Sequence, residues 1–241
     1  MKSRPPVKDM RNIELIHGNC LDAISSISEE VFIMSDPPYN QGYHYNSYED
    51  RMGDDEYANM LRTVFGNRKS VVIHYPEEMM QIMGGGQFDL QQVVSWVYNS
   101  NTAKQSRLVA WFGCKPDFRK IPQPYKNPTD KRIAKRITEG KTARSYDWWN
   151  INQVKNVSKK DNPHTCPIPL ELAEKIVIST TEEGDTICDP FMGSGTFGIA
   201  AVKNNRNFIG IELDEVYYKY AKQAVDNSHT LWITPNSFFR S

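Results

Sequence analysis

Residues 185–202, Asp-Thr-Ile-Cys-Asp-Pro-Phe-Met-Gly-Ser-Gly-Thr-Phe-Gly-Ile-Ala-Ala-Val, read as strand, glycine turn and helix. Asp185–Cys188 is strand-like and Phe197–Val202 has the composition of a helix start. A glycine turn between strand and helix lets the backbone approach a ligand closely. Asn207–Ile211 is a further strand, and it ends in Glu212. An acid at that place accepts hydrogen bonds from ribose hydroxyls. This part of the chain therefore reads as an α/β nucleotide-cofactor site.

Gly193–Gly198 formally matches the dinucleotide pattern G-x-G-x-x-G. Asp189, just before the loop, argues against that ligand. A carboxylate there repels a pyrophosphate and attracts an ammonium group. S-adenosylmethionine carries an ammonium, a ribose and an adenine but no phosphate, so it is the preferred cofactor. No Gly-Lys-Ser/Thr follows the glycines, which argues against a phosphate-binding P-loop.

Far upstream, the apolar run Val31–Met34 leads into Asp36-Pro37-Pro38-Tyr39. Two prolines fix φ and leave carbonyls without N–H donors. One carboxylate, a carbonyl-rich turn and an aromatic ring, expected to be exposed, then share one spot. That combination suits a flat heterocycle bearing an exocyclic amine.

Together these motifs resemble the beta class of amino-methyltransferases of DNA, the adenine-N6 and cytosine-N4 enzymes. The order, Asp-Pro-Pro-Tyr first and glycine loop last, is that of the class. The likeness spans residues 12–115 and 150–227. It includes Gly18-Asn19-Cys20-Leu21, where the family has Gly-Asp-Cys-Leu and where the residue after glycine reaches the cofactor adenine. It also includes His164-Thr165, where the family has His-Pro, and Glu212-Leu213 on the ribose-binding strand.

The resemblance implies an α/β fold: a doubly wound, mostly parallel sheet of the S-adenosylmethionine-dependent, Rossmann-like methyltransferase type. It implies one domain over 1–241 with a small basic target-recognition insertion at 115–160. The implied cofactor residues are Asn19, Cys20, Leu21, Asp36, His164, Thr165, Asp189, Phe191, Gly193, Ser194, Gly195, Thr196, Glu212 and Leu213. The catalytic group is Asp36, Pro37, Pro38 and Tyr39, with Asp36 at an ordinary low pKa and Tyr39 stacking on a flipped base. Aspartate at the first position favours adenine. Cytosine-N4 transfer is the alternative within the class. A dinucleotide-dependent oxidoreductase, a silent nucleic-acid-binding module and an RNA or protein substrate stay open outside it. The expected partner is double-stranded DNA. A second copy of the chain and a cognate restriction endonuclease also stay open.

Bulk properties agree with this class. The 241 residues carry no net charge, yet residues 115–160 hold 13 basic and four acidic side chains, a net +9. A basic segment on a neutral chain is what local phosphate attraction requires. Lys115, Arg119, Lys120, Lys131, Arg132, Arg136 and Arg144 are the candidate DNA contacts, with Phe118, Tyr125, Tyr146, Trp148 and Trp149 interleaved. These rings suit wedging against bases, and Trp148-Trp149 equally suits a core strand. Four scattered cysteines without a C-x-x-C argue against zinc or a disulfide framework, and no metal is expected. No apolar run approaches the ~20 residues of a membrane span, so a cytoplasmic location without membrane contact is expected.

Periodicity predicts strands at 13–17, 31–35, 70–75, 91–98, 107–112, 185–188 and 207–211. Helices are predicted at 54–65, 77–83, 169–180, 196–204 and 214–226. Strands 91–98 and 107–112 read as an antiparallel pair at a sheet edge. Residues 40–53, with Tyr43, Tyr45 and Tyr48, read as a loop over the site.

Overall fold

The computed structural model describes residues 12–42, 50–85, 88–154 and 167–230. The first half runs β1 (Ile13–His17), α1 (Cys20–Ala23), a 3-10 turn (Ile24–Ser26), β2 (Phe32–Ser35), α2 (Asp54–Phe65), β3 (Ser70–His74) and α3 (Pro76–Met83). Then come β4 (Leu90–Val97), β5 (Ser106–Phe112), α4 (Lys131–Thr138) and β6 (Trp148–Asn150). The chain closes with α5 (Leu170–Thr180), β7 (Thr186–Asp189), α6 (Thr196–Lys203), β8 (Asn207–Glu212) and α7 (Glu215–Thr230).

Among the described residues, eight strands form one sheet in the order β1-β8-β7-β2-β3-β5-β4-β6. Every neighbouring pair is parallel except those on either side of β5. The antiparallel β4–β5 pair is not at the sheet edge, as periodicity alone suggests. β6 pairs with β4 beyond it, so Trp149 enters the core and is 4% exposed. A three-residue strand in a charged segment has too short a period to stand out.

Both sheet faces are covered, as the near-continuous apolar strands require. Val71 and Ile73 of β3 pack with Leu172, Ile176 and Phe197 from α5 and α6. Val72, between them, points the other way and packs with Leu61, Val64 and Phe65 of α2. Helix α2 begins with Asp54, Asp55 and Glu56, whose charges suit the positive end of its dipole. Two glycines, one just before α6 and one inside it, are structurally required. Gly195 takes φ +79° where α6 begins. A Cβ on Gly198 would stand 2.6 Å from the Phe208 ring, so α6 packs on β8 only with hydrogen there.

Candidate active site

A cavity of about 280 Å³ opens where β1, β2, β7 and β8 end. In a parallel sheet these C-terminal ends are where ligands gather. The β1 end contributes Asn19, Cys20 and Leu21, and the β2 end contributes Asp36, Pro37, Pro38 and Tyr39. Phe191 and Gly193 follow β7, and Glu212 and Leu213 end β8. Strands β2 and β7 are neighbours, pairing Ile33 with Cys188. Two loops separated by about 150 residues of chain thereby stand side by side.

The Asp36 side chain is 15% exposed, and Tyr39 donates its hydroxyl hydrogen bond to it. Burial pushes the Asp36 carboxyl up to about 6; Arg107 and the Tyr39 hydroxyl pull the other way. The expected ordinary low pKa is corrected accordingly, because little water reaches this carboxylate. The expected exposed ring of Tyr39 is corrected too. Tyr39 is 5% exposed, lies edge-on to His74 with centroids 4.8 Å apart, and has Arg107 over its face at 4.7 Å. Its hydroxyl and its π-face both find charged partners inside, which turns the ring inward.

Arg107 is a cavity-lining residue that motif reading misses. It comes from β5, sits 3.8 Å from Asp36 and is 5% exposed. Tyr39, Tyr75, Trp96 and Tyr98 surround its guanidinium at 4.7–5.7 Å. Burial works against its charge, but Tyr39, Asp36 and Tyr98 hold it protonated well above its ordinary range. The signal available in the sequence was one arginine opening the apolar run Leu108–Phe112.

A second group behind the loop was also missed. The Tyr75 N–H donates to His74 Nδ1 at 2.9 Å, which leaves the proton on Nε2. Nε2 then donates to the Tyr57 oxygen at 2.6 Å, and Tyr57 donates to the Pro38 carbonyl at 2.5 Å. Burial lowers the His74 pKa to about 3, with Arg107 adding to the effect, so the ring stays neutral.

The glycine loop divides its residues between wall and scaffold. Phe191 and Gly193 face the cavity; Asp189, Ser194, Gly195 and Thr196 do not. Asp189 is 3% exposed, and its Oδ1 accepts from the Ser35 hydroxyl and the Phe191 N–H. Burial raises its pKa to about 7. A pyrophosphate site would need the α6 N-terminus in the wall. Instead the Gly193 N–H donates to Glu212 at 2.8 Å. Burial raises the Glu212 pKa, and the N–H groups of Asp214 and Gly193 partly offset this. Asn19 lines the cavity, and its side-chain oxygen also caps α1 by accepting from the Leu21 N–H at 2.9 Å. His164 and Thr165 lie outside the described residues, as do Tyr43, Tyr45 and Tyr48.

The chain matches the model of the DNA methylase family of N6/N4 methyltransferases over residues 31–223. It belongs to that family. The type II methyltransferase M.HpaI of Haemophilus parainfluenzae is 24% identical over 88% of this chain and 74% of its own length. The type II methyltransferase M2.MboI of Moraxella bovis is 25% identical over 89% and 88%. Among solved structures, the cytosine-N4-specific PvuII DNA methyltransferase aligns with TM-score 0.63 at 15% identity, covering 92% of this chain and 93% of that one. The M1.HpyAVI–SAM complex aligns with TM-score 0.55 at 23% identity, covering 88% and 99%.

Within this DNA methylase, the candidate DNA-binding residues fall into two groups. Arg119 pairs with Asp117 at 2.8 Å, Lys120 with Glu182 at 2.5 Å and Arg132 with Asp130 at 3.2 Å. Lys115, Lys131, Arg136 and Arg144 are exposed. Helix α4 of the DNA methylase buries none of its residues and holds Lys131, Arg132, Lys135 and Arg136. Of the interleaved rings, Phe118 and Trp149 pack against Trp111 in the core and are turned away from bases. Trp148 is 44% exposed with Lys126 4.2 Å from its ring centre.

Proposed function

We propose that this enzyme transfers a methyl group from S-adenosylmethionine to the N6 amine of an adenine flipped out of double-stranded DNA. The observation that carries the reading is Asp36, a carboxylate beside the Pro37 turn in the wall of the cavity that Glu212 also lines. When bound, S-adenosylmethionine supplies a methyl group on a positively charged sulfur. The residues fit that molecule. Leu21 and Leu213 are apolar, 39% and 44% exposed, and both line the cavity, as suits an adenine ring. Glu212 would take the ribose hydroxyls, and Phe191 and Gly193 would contact the remainder.

Asp36 and the Pro37 carbonyl accept the amine's hydrogen bonds and aim its lone pair. Base entry exchanges the Tyr39 hydroxyl for that amine at Asp36. At a pKa of about 6, Asp36 is mostly ionised at neutral pH and takes the amine proton as it is released. Lys115, Lys131, Arg136 and Arg144 hold DNA phosphates.

N4-methylcytosine is the second reading, supported by the fold match to a cytosine-N4-specific enzyme. The test is transfer of labelled methyl to unmethylated duplex DNA, with nucleosides identified by mass spectrometry, for wild type and Asp36→Ala. N6-methyladenine that disappears in the variant is expected. N4-methylcytosine would move the base assignment to cytosine. Labelled RNA or protein, with no labelled DNA, would overturn the reading.

A further inference from the structure

Arg107 holds a buried donor without a visible purpose. Its Nε is buried and has no hydrogen-bond partner among the described residues, although the side chain lines the cavity. Buried polar groups are nearly always paired, so an unpaired donor on a side chain that lines the cavity points to a ligand acceptor at that guanidinium. The four rings and Asp36 favour the guanidinium charge but give Nε no acceptor. At 3.8 Å, Arg107 and Asp36 attract each other but share no hydrogen bond. Both therefore keep hydrogen-bonding capacity for a third group.

An adenine or cytosine presents a matching edge. The exocyclic amine is a donor, and the ring nitrogen bonded to the same carbon is an acceptor. Guanine and thymine present the reverse, an exocyclic oxygen beside a ring N–H. We infer that Asp36 and Arg107 act as one acceptor–donor pair that reads this amidine edge, with Arg107 donating to N1 of the target adenine. The inference rests on the methyl-transfer reading of the same site. It makes Arg107 a specificity-determining residue: it admits amino-bearing bases and rejects the other two, whose ring N–H would face a guanidinium. The surrounding rings of Tyr39, Tyr75, Trp96 and Tyr98 hold the donor in place before the base arrives.

A guanidinium also pairs with carboxylates, which makes the α-carboxylate of the methyl donor a competing acceptor. The placement of Arg107 against Asp36 and Tyr39, within the base-holding turn, favours the base.

The test uses duplexes carrying the target site, mapped beforehand from modified bases in DNA of the expression host. The target adenine is replaced by 1-deazaadenine or 7-deazaadenine. Wild type is expected to lose about 10- to 100-fold in kcat/KM on the 1-deaza duplex and little on the 7-deaza duplex. Weaker pairing of the 1-deaza base eases flipping and works against that loss, so a loss reports the absent N1 acceptor. In Arg107→Met the 1-deaza penalty is expected to vanish, with S-adenosylmethionine affinity within about twofold of wild type. The wild-type comparison needs no variant and stands if Arg107→Met fails to fold. No 1-deaza penalty, a penalty on 7-deaza instead, or an undiminished penalty in Arg107→Met overturns the inference. A loss of cofactor affinity with base discrimination intact assigns Arg107 to the donor's carboxylate and also overturns it. Absence of any methylated base on the unmodified duplex overturns the functional reading itself, separately. If the product is N4-methylcytosine, 3-deazacytosine takes the place of 1-deazaadenine and the same outcomes decide.

Discussion

The Ser35 hydroxyl donates to the Asp189 carboxylate at 2.5 Å, joining residues 154 positions apart. Ser35 ends β2 just before the Asp36 turn, and Asp189 ends β7 just before the glycine loop. The bond thus ties the Asp36 turn to the glycine loop. Ser35→Ala leaves a buried carboxylate with one donor fewer, a loss of about 1–3 kcal/mol of stability. A lower melting temperature together with weaker S-adenosylmethionine binding is the expected result, read by thermal unfolding and calorimetry. Unchanged cofactor affinity would show that the bond serves stability alone.

Asp189 offers a pH test with a definite sign. Its folded pKa, about 7, lies above its ordinary value of 3.8. Between those values the folded state binds more protons than the unfolded state, so its contribution to stability falls as pH rises through the window. Asn at this position keeps an oxygen for Ser35 and the Phe191 N–H without the desolvated charge. Asp189→Asn is therefore expected to raise the melting temperature at pH 8 and to change it much less at pH 5, where the acid is already protonated.

Asp36 makes the acid limb of the rate profile. With a pKa near 6, the carboxylate loses its charge as pH drops through that value. The kcat/KM of methyl transfer should fall about tenfold per pH unit below it, and the inflection should be absent from cofactor binding. A rate flat from pH 8 to pH 5 would remove the ionised carboxylate from the mechanism.

The His74–Tyr57 chain fixes the Pro38 carbonyl from behind. Tyr57→Phe removes the hydroxyl without changing the ring's volume. It should lower kcat about tenfold through a loosened turn, while leaving the Kd of S-adenosylmethionine near wild type. A matching loss in cofactor affinity would assign Tyr57 a general packing role.

Charge neutralisation on the basic insertion separates cations that have an acidic partner among the described residues from those that do not. Replacing Lys115, Lys131, Arg136 and Arg144 with Gln should raise the KM for DNA and flatten its salt dependence. The log–log slope should fall by about one unit for each phosphate that is no longer neutralised. Arg119→Gln and Arg132→Gln should do less, since Asp117 and Asp130 already hold those side chains. Equal effects from both sets would spread the DNA footprint over the whole insertion.

Most of the α/β framework was readable along the chain, because its signals are local. Helix α2 shows its acidic start and apolar stripe within 12 residues. Strand, glycine turn and helix around Asp189 follow one another directly, and Gly195 and Gly198 are needed there for a positive φ and a close packing distance. The family motifs also placed Asp36 and Glu212 at one cavity. What sequence order could not show depends on the meeting of distant segments. β5 runs against its neighbours, so its first residues, Arg107 among them, reach the edge where the parallel strands end. Tyr39 turns inward because that arginine is there, and the Asp36 carboxyl is pushed up because the packed sheet removes water. Periodicity and capping act over a few residues; burial and electrostatics are set by everything the folded chain brings within a few ångströms.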